Sequence, residues 1–257
     1  MKRTLSLSRE KIHTGSLILV NNKHRYQEAL KTSDPLAVLI PINENFPAVK
    51  LQRRAVVLLT SLMNEISGWH GITAVSGWRS FQEQEQIWND TLREQGLSFT
   101  KKYVAAPGCS EHQTGLAVDL GQKQKTIDFI RPYFPYSGIC QKFRSKAAEY
   151  GFIERYPAEK EAITGISHEP WHFRYVGAPH AQIMVQNNLT LEEYISFLEH
   201  FPRSERAYKI QSGNQQILIS YQKFIPDSAA TTLMIDSRLP CSISGNNTDG
   251  FIITEWK

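Results

Sequence analysis

The chain has 257 residues with 29 basic and 25 acidic side chains, giving a net charge of +4, and it is 41% hydrophobic and 21% charged. This is the composition of an ordinary globular protein, and it excludes a disordered chain, a collagen-like fibre and a low-complexity tract. No segment approaches the ~20 apolar residues of a membrane span, no basic stripe with interleaved aromatics offers a nucleic-acid footprint, and the three cysteines, outside C-x-x-C spacing, suggest neither a disulfide framework nor a zinc ribbon.

The N-terminus starts with basic residues, but charge returns at Arg9, Glu10 and Lys11 before an apolar core develops. No secretory signal is expected, and the default compartment is the cytoplasm. Residues 1–48 read as a lead-in segment, with a short strand at Leu17–Val20, a turn at Asn21-Asn22, and Pro35, Pro41 and Pro47 keeping the chain extended or turning. From Val49 to about Ser67, Leu51, Ala55, Leu58, Leu59, Leu62 and Ile66 recur at three- and four-residue spacing, which predicts a helix with Gly68 at its C-terminal end. Ile72–Ser76 reads as a strand, Phe81–Gln95 as a helix ended by Gly96, Ala106–Ser110 as a loop and Leu116–Leu120 as a buried strand. A helix around Gln141–Tyr150 stops at Gly151, and strands follow at Phe152–Glu154 and Trp171–Val176. Helices are predicted near Pro179–Asn187 and Leu191–Phe201, the second with Thr190 and Glu193 spaced as a capping box. After Pro202, short β-like runs at Ala207–Gln211, Gln215–Tyr221, Thr231–Ile235 and Phe251–Glu255 are split by Gly213-Asn214, Pro226-Asp227 and Gly245-Asn246-Asn247. The expected organisation is one domain over residues 1–202 and a small β-rich C-terminal appendage over 203–257.

Three segments carry the chemistry: Ser76–Gln84 with Arg79, Ser110–Asp119 with His112, and His168–His172 with Glu169. An Asp inside an apolar strand, as Asp119 is, is costly to bury unless paired or metal-bound; backbone donors alone would also satisfy it. Two histidines and one carboxylate are the ligands of a catalytic zinc with one position left for water. Such a metal lowers the water pKa from ~16 to about 7, and a free carboxylate can then move the proton. The inventory divides as His112, Asp119 and His172 on the metal and Glu169 free. His168 to His172 also spells H-E-x-x-H, but Pro170 is incompatible with the helix that motif requires. His168 is therefore expected beside the site rather than in it. A regular strand puts Glu169 and His172 on opposite faces, so the reading needs a bend near Pro170. Arg79 reads either as a donor to a developing oxyanion or as an exposed arginine at a helix N-terminus, where the dipole disfavours a cation. Cys109, beside Ser110, reads as a packed thiol, and Trp78 and Trp171 as either pocket wall or core.

Together these segments resemble the zinc D,D-carboxypeptidases and D,D-dipeptidases of the VanX, VanY and VanXY type, which share a fold with hedgehog N-terminal domains. The pattern S-x-H-x-x-G-x-A-x-D stands at Ser110 to Asp119, E-x-W-H at Glu169 to His172, and S-G-[YW]-R-S…Q from Ser76, with Trp78 at the aromatic position and Gln84 as the glutamine. The resemblance covers roughly Leu17 to Phe201 and leaves the last fifty or so residues unexplained. It implies an α+β fold with a central, mainly antiparallel sheet flanked by helices. It also implies Zn²⁺ held by His112, Asp119 and His172, Glu169 as general base and then acid, and Arg79 polarising the scissile carbonyl. Ser110, Gln84 and Trp171 are implied or weighed as substrate contacts. The substrate would be a small peptide, D-Ala-D-Ala or a pentapeptide peptidoglycan precursor, in a cytoplasmic enzyme of vancomycin resistance. A peptidase acting on mature cell wall (L,D- or D,D-) and a non-catalytic zinc-binding module are the alternatives.

Overall fold

A computed structural model describes residues 2–27, 34–226 and 228–257. The chain divides into two compact units. One holds Val20–Tyr26 and the chain from Asp34 to Thr190; the other holds Leu191–Lys257 together with the N-terminal residues up to Leu19. This division differs from the split expected after residue 202, because the N-terminal strand belongs with the C-terminal strands. No helix among the described residues is long and apolar enough to cross a membrane.

In chain order the elements are β1 (Lys2–Ser8), β2 (Leu39–Pro41), β3 (Lys50–Gln52), α1 (Arg53–Ile66), β4 (Ile72–Ser76), α2 (Phe81–Tyr103), β5 (Ala117–Gln122), α3 (Gly138–Ala147), β6 (Phe152–Tyr156), α4 (Glu161–Thr164), β7 (Glu169–Tyr175), α5 (His180–Gln186), α6 (Leu191–Glu199), β8 (Tyr208–Ser212), β9 (Gln215–Lys223), β10 (Ala230–Asp236), β11 (Cys241–Gly245) and β12 (Gly250–Trp256). The fold is α+β, as the resemblance implies.

The larger unit is built on an antiparallel sheet with strand order β4-β5-β7-β6. Side chains alternate along a strand, and the alternation here separates core from site. Val118 and Leu120 of β5, and Trp171, Phe173 and Tyr175 of β7, enter one hydrophobic cluster. Asp119, His172 and Arg174 stand between them on the other face. The core face is covered by α1 through Ala55, Val56, Leu59, Leu62, Met63 and Ile66, and by α3 through Cys140, Phe143 and Ala147. Fully burying a Leu or Phe contributes about 1.5–3 kcal/mol, so these rows of side chains hold the helices on the sheet. The hairpin of β2 and β3 precedes α1.

In the smaller unit β11-β12-β9-β8 form one antiparallel sheet, and β1 pairs with β10. Ile12, Phe224, Leu233, Phe251 and Ile253 form one buried hydrophobic cluster within it.

Several local expectations are corrected. Leu17–Val20 is buried but is not a strand: the Leu17 amide donates to Ser244 Oγ and the Leu19 amide to the Asn246 carbonyl, so no ladder forms. The helix predicted from Val49 begins at Arg53, since Lys50–Gln52 pairs with β2. Its left-handed terminal residue is Ser67 at φ 56°, not Gly68. Gly96 does interrupt α2 (φ 79°, ψ 168°), yet helix resumes beyond it to Tyr103. β1 and β11 are strands that sequence patterning missed. The turn expected at Pro226-Asp227 involves Asp227, which lies outside the described residues.

Candidate active site

The site lies where the turn before β5 meets β5 and β7. Ser110 leads into a short 3₁₀ turn, Glu111–Thr114, which closes on Gly115 at φ 70°. A Cβ on Gly115 would sit 2.5 Å from Leu39 Cδ2, so this position needs both the left-handed backbone and the missing side chain. The Gly115 carbonyl accepts from the Gln52 amide at 2.8 Å, which ties the turn to β3. The turn places His112 over the sheet, and the chain then enters β5 and presents Asp119.

Asp119 is directly opposite His172 in the β5–β7 ladder. His172 Nδ1 approaches Asp119 Oδ1 at 2.9 Å, and His112 Nε2 approaches Asp119 Oδ2 at 3.1 Å. One donor atom from each of the three residues falls within 4.8 Å of the others, and all three side chains are buried. The remaining nitrogen of His112, Nδ1, donates to the Gly77 carbonyl at 2.6 Å. That bond commits the ring to presenting Nε2 inward. Burial alone would raise the Asp119 carboxyl, but the two imidazoles hold it well below the usual carboxylate range. Two imidazoles and a carboxylate, converging with their outer faces held, fit a zinc ion in donor chemistry and in spacing.

Glu169 reaches this face because the β6–β7 register slips. Glu154 is opposite Phe173, whereas Tyr156 is opposite Glu169, so β7 uses four residues where β6 uses two. The bend anticipated at Pro170 is this slip. It leaves Glu169 Oε2 3.8 Å from His172 Nδ1. Burial, opposed by His172 and reinforced by the Asp119 charge, pushes the Glu169 carboxyl up to about 8, the range of a group that exchanges protons near neutrality.

Arg79 comes from the segment between β4 and α2. A capping box fixes the start of α2: Ser80 Oγ accepts from the Glu83 amide at 3.2 Å, and Glu83 Oε2 accepts from the Ser80 amide at 2.7 Å. Arg79 therefore lies just outside the helix. Its NH2 is 3.6 Å from Asp119 Oδ2, and its NH1 donates to Gln84 Oε1 at 3.0 Å. Gln84 Nε2 in turn donates to the Ala105 carbonyl at 2.7 Å. Both ends of the Gln84 amide are thus engaged within the protein, one of them on Arg79.

These groups line a cleft that also includes Ser110, Tyr156 and Trp171. Trp171 serves as both wall and core, since it also belongs to the main hydrophobic cluster. Trp78 is not among the cleft-lining residues. His168 lies outside the donor set, with its ring stacked on Tyr136 and its Nε2 2.7 Å from the Tyr136 hydroxyl. Cys109 is buried and also outside the set. Glu111, Arg155 and Arg174, buried directly behind His172, were not expected from sequence; the available signal was an arginine beside an aromatic residue in or next to each of two predicted strands.

A zinc-type donor triad, a buried carboxylate beside it and an arginine facing it define a metallopeptidase. Residues 49–178 match the family model for VanY, D-alanyl-D-alanine carboxypeptidase. The chain belongs to this family. It is 43% identical over 189 residues to the bifunctional D-Ala-D-Ala dipeptidase and D-Ala-D-Ala carboxypeptidase VanXYC of Enterococcus gallinarum, covering 72% of this chain and 95% of that one. Its structure is similar to that of the vancomycin resistance D,D-dipeptidase VanXYg in complex with a D-Ala-D-Ala phosphinate analog, with a TM-score of 0.93, 44% identity and full coverage of both chains. It is also similar to a point mutant of the vancomycin resistance D,D-pentapeptidase VanY from the VanB-type resistance cassette, in complex with Zn(II) (TM-score 0.54, 29% identity, 70% of this chain and 98% of that one).

Proposed function

We propose that this protein is a zinc D,D-peptidase that removes the terminal D-Ala from D-Ala-D-Ala and from pentapeptide peptidoglycan precursors, an activity that confers vancomycin resistance. His112 Nε2, an oxygen of Asp119 and His172 Nδ1 would hold the ion. Bound zinc supplies a Lewis acid that brings the pKa of water down to about 7. Glu169 accepts the proton of the attacking water and returns it to the leaving amine. Arg79, steadied by Gln84, donates to the carbonyl oxygen as negative charge develops there. Ser110 and Trp171 line the space beside these groups and would contact the peptide, and Gln84 acts on the substrate side through Arg79.

One observation carries the reading: the register slip in β7 sets an unligated, buried carboxylate beside the convergent donor triad. A site for zinc alone has no use for that carboxylate or for Arg79. The similarity to dipeptidases and carboxypeptidases that carry the D-Ala-D-Ala name supports the choice of substrate. The chemistry belongs to the unit that holds the chain from Asp34 to Thr190, and residues 203–257 belong to the other unit. The cytoplasm is the proposed compartment, where the free dipeptide is met before it enters a precursor. The test is metal analysis of the purified protein together with D-alanine release from the dipeptide and from a pentapeptide precursor, with and without chelator. Release that stops on chelation and returns with zinc is the expected result. Chelator-resistant hydrolysis would overturn the proposal.

A further inference from the structure

Behind the donor triad the strands bury a second layer of charge. Glu111 Oε1 accepts from Arg155 Nε and from Arg174 NH1, each at 2.8 Å. All three side chains are fully enclosed. The other carboxylate oxygen, Oε2, makes no hydrogen bond, and it faces His172 Nε2 at 3.5 Å. That nitrogen is equally buried and equally without a hydrogen bond. Buried polar atoms are paired in nearly all folded proteins, and these two are each other's neighbour. On the side of His172, the Tyr156 ring packs at a centroid distance of 4.9 Å, and the Arg155 guanidinium lies 4.9 Å from the Tyr156 centroid.

A neutral imidazole has one proton to place. With nothing to receive it at Nε2, it would sit on Nδ1, donating to Asp119 Oδ1 at 2.9 Å, and would block the nitrogen that faces the triad. A carboxylate at Nε2 reverses that choice, fixes the ring and strengthens the opposite nitrogen as a ligand. The two arginines make such a carboxylate tenable, since they anchor Oε1 and leave Oε2 aimed at the ring.

We propose that Glu111, clamped by Arg155 and Arg174, is a positioning residue that accepts a hydrogen bond from the Nε2–H of His172, keeping the proton on that nitrogen and committing Nδ1 to the metal. This rests on the zinc reading above. Two measurements on the full chain test it. In wild-type protein loaded with zinc and labelled with ¹⁵N-histidine, NMR should show His172 protonated at Nε2 and metal-shifted at Nδ1. Glu111→Asp keeps a negative charge for the arginines but withdraws Oε2 from the ring. Its zinc dissociation constant, by chelator competition, should rise by about 10–100-fold, the range for a lost partner of a ligating histidine. Circular dichroism checks that the variant is folded, and the wild-type spectrum decides the matter if it is not. A folded Glu111→Asp that binds zinc within twofold of wild type would overturn the inference alone, and a His172 proton on Nδ1 would overturn it together with the assignment of that nitrogen as a ligand. Wild-type protein that binds no zinc would overturn the peptidase reading as well.

Discussion

Asp119 and His172 face each other across the β5–β7 ladder, and their side chains meet at 2.9 Å although 53 positions separate them in the chain. The pairing register of two strands is therefore what sets the distance between two proposed zinc ligands. A one-residue slip would send one of them to the core face, so the same packing that stabilises the sheet also holds the donors together.

Glu169→Gln removes the proposed proton carrier but keeps its shape. D-alanine release should fall by about 100-fold or more, the usual contribution of a general base, while zinc content stays at the wild-type level. Unchanged turnover with zinc bound would assign the base elsewhere.

Arg79→Ala should lower kcat by about 10²–10³-fold, as for other lost oxyanion donors, with a much smaller change in KM. Steady-state kinetics on the dipeptide separates the two. A change confined to KM would make Arg79 a binding residue only.

Gln84→Met keeps the volume but frees Arg79 NH1. Because Gln84 acts through the guanidinium, its loss should cost less than that of Arg79, and Arg79→Ala in the same chain should hide it. A double-mutant cycle measures this; additive losses would contradict the arrangement.

In the metal-free protein, burial disfavours the charged form of His172, but the carboxylates of Asp119 and Glu111 on its two sides overcome it and push its pKa up to about 9. A raised folded pKa stabilises the metal-free protein fully below the unfolded value of about 6.5, and that contribution disappears as pH rises through about 9. Zinc must displace the same proton, so its apparent affinity should climb as pH rises toward 9. His112, which burial and Arg79 hold at about 4, contributes no proton at neutral pH. Calorimetry of zinc binding in buffers of different ionisation enthalpy should register proton release at pH 7; the absence of any release would refute this account.

Phe143 of α3 lies fully buried against Phe134 and Phe173, at centroid distances of 5.9 and 4.8 Å. Phe143→Ala should destabilise the fold by about 3–5 kcal/mol, read by denaturant unfolding, and should leave the zinc stoichiometry of the folded fraction intact.

Much of this is legible in the residues themselves, and the exceptions share a cause. α1 shows in its three- and four-residue apolar spacing, because one face packs on the sheet. The donor triad shows because its motifs are short, local and chemically unusual. β1 does not show: its partner β10 lies at the far end of the chain, and Lys2–Ser8 is too exposed to carry a strong alternation. β11 is short and rich in Ser and Gly, which reads as a turn. The layer of Glu111, Arg155 and Arg174 is hidden for a different reason. A charge in a strand or turn ordinarily marks a solvated face, and only the fold shows that two strand arginines and a turn glutamate converge on one point. Gln84 sits in a run of polar residues that reads as helix surface, and its bond to Arg79 depends on where the preceding loop turns.

The squeeze between Gly115 and Leu39 has a practical corollary. Residue 39 belongs to a small hairpin with no chemistry of its own, yet its bulk dictates that the turn carrying a metal ligand has no side chain at 115. Anyone transplanting this turn onto another scaffold must carry the hairpin along as its mould.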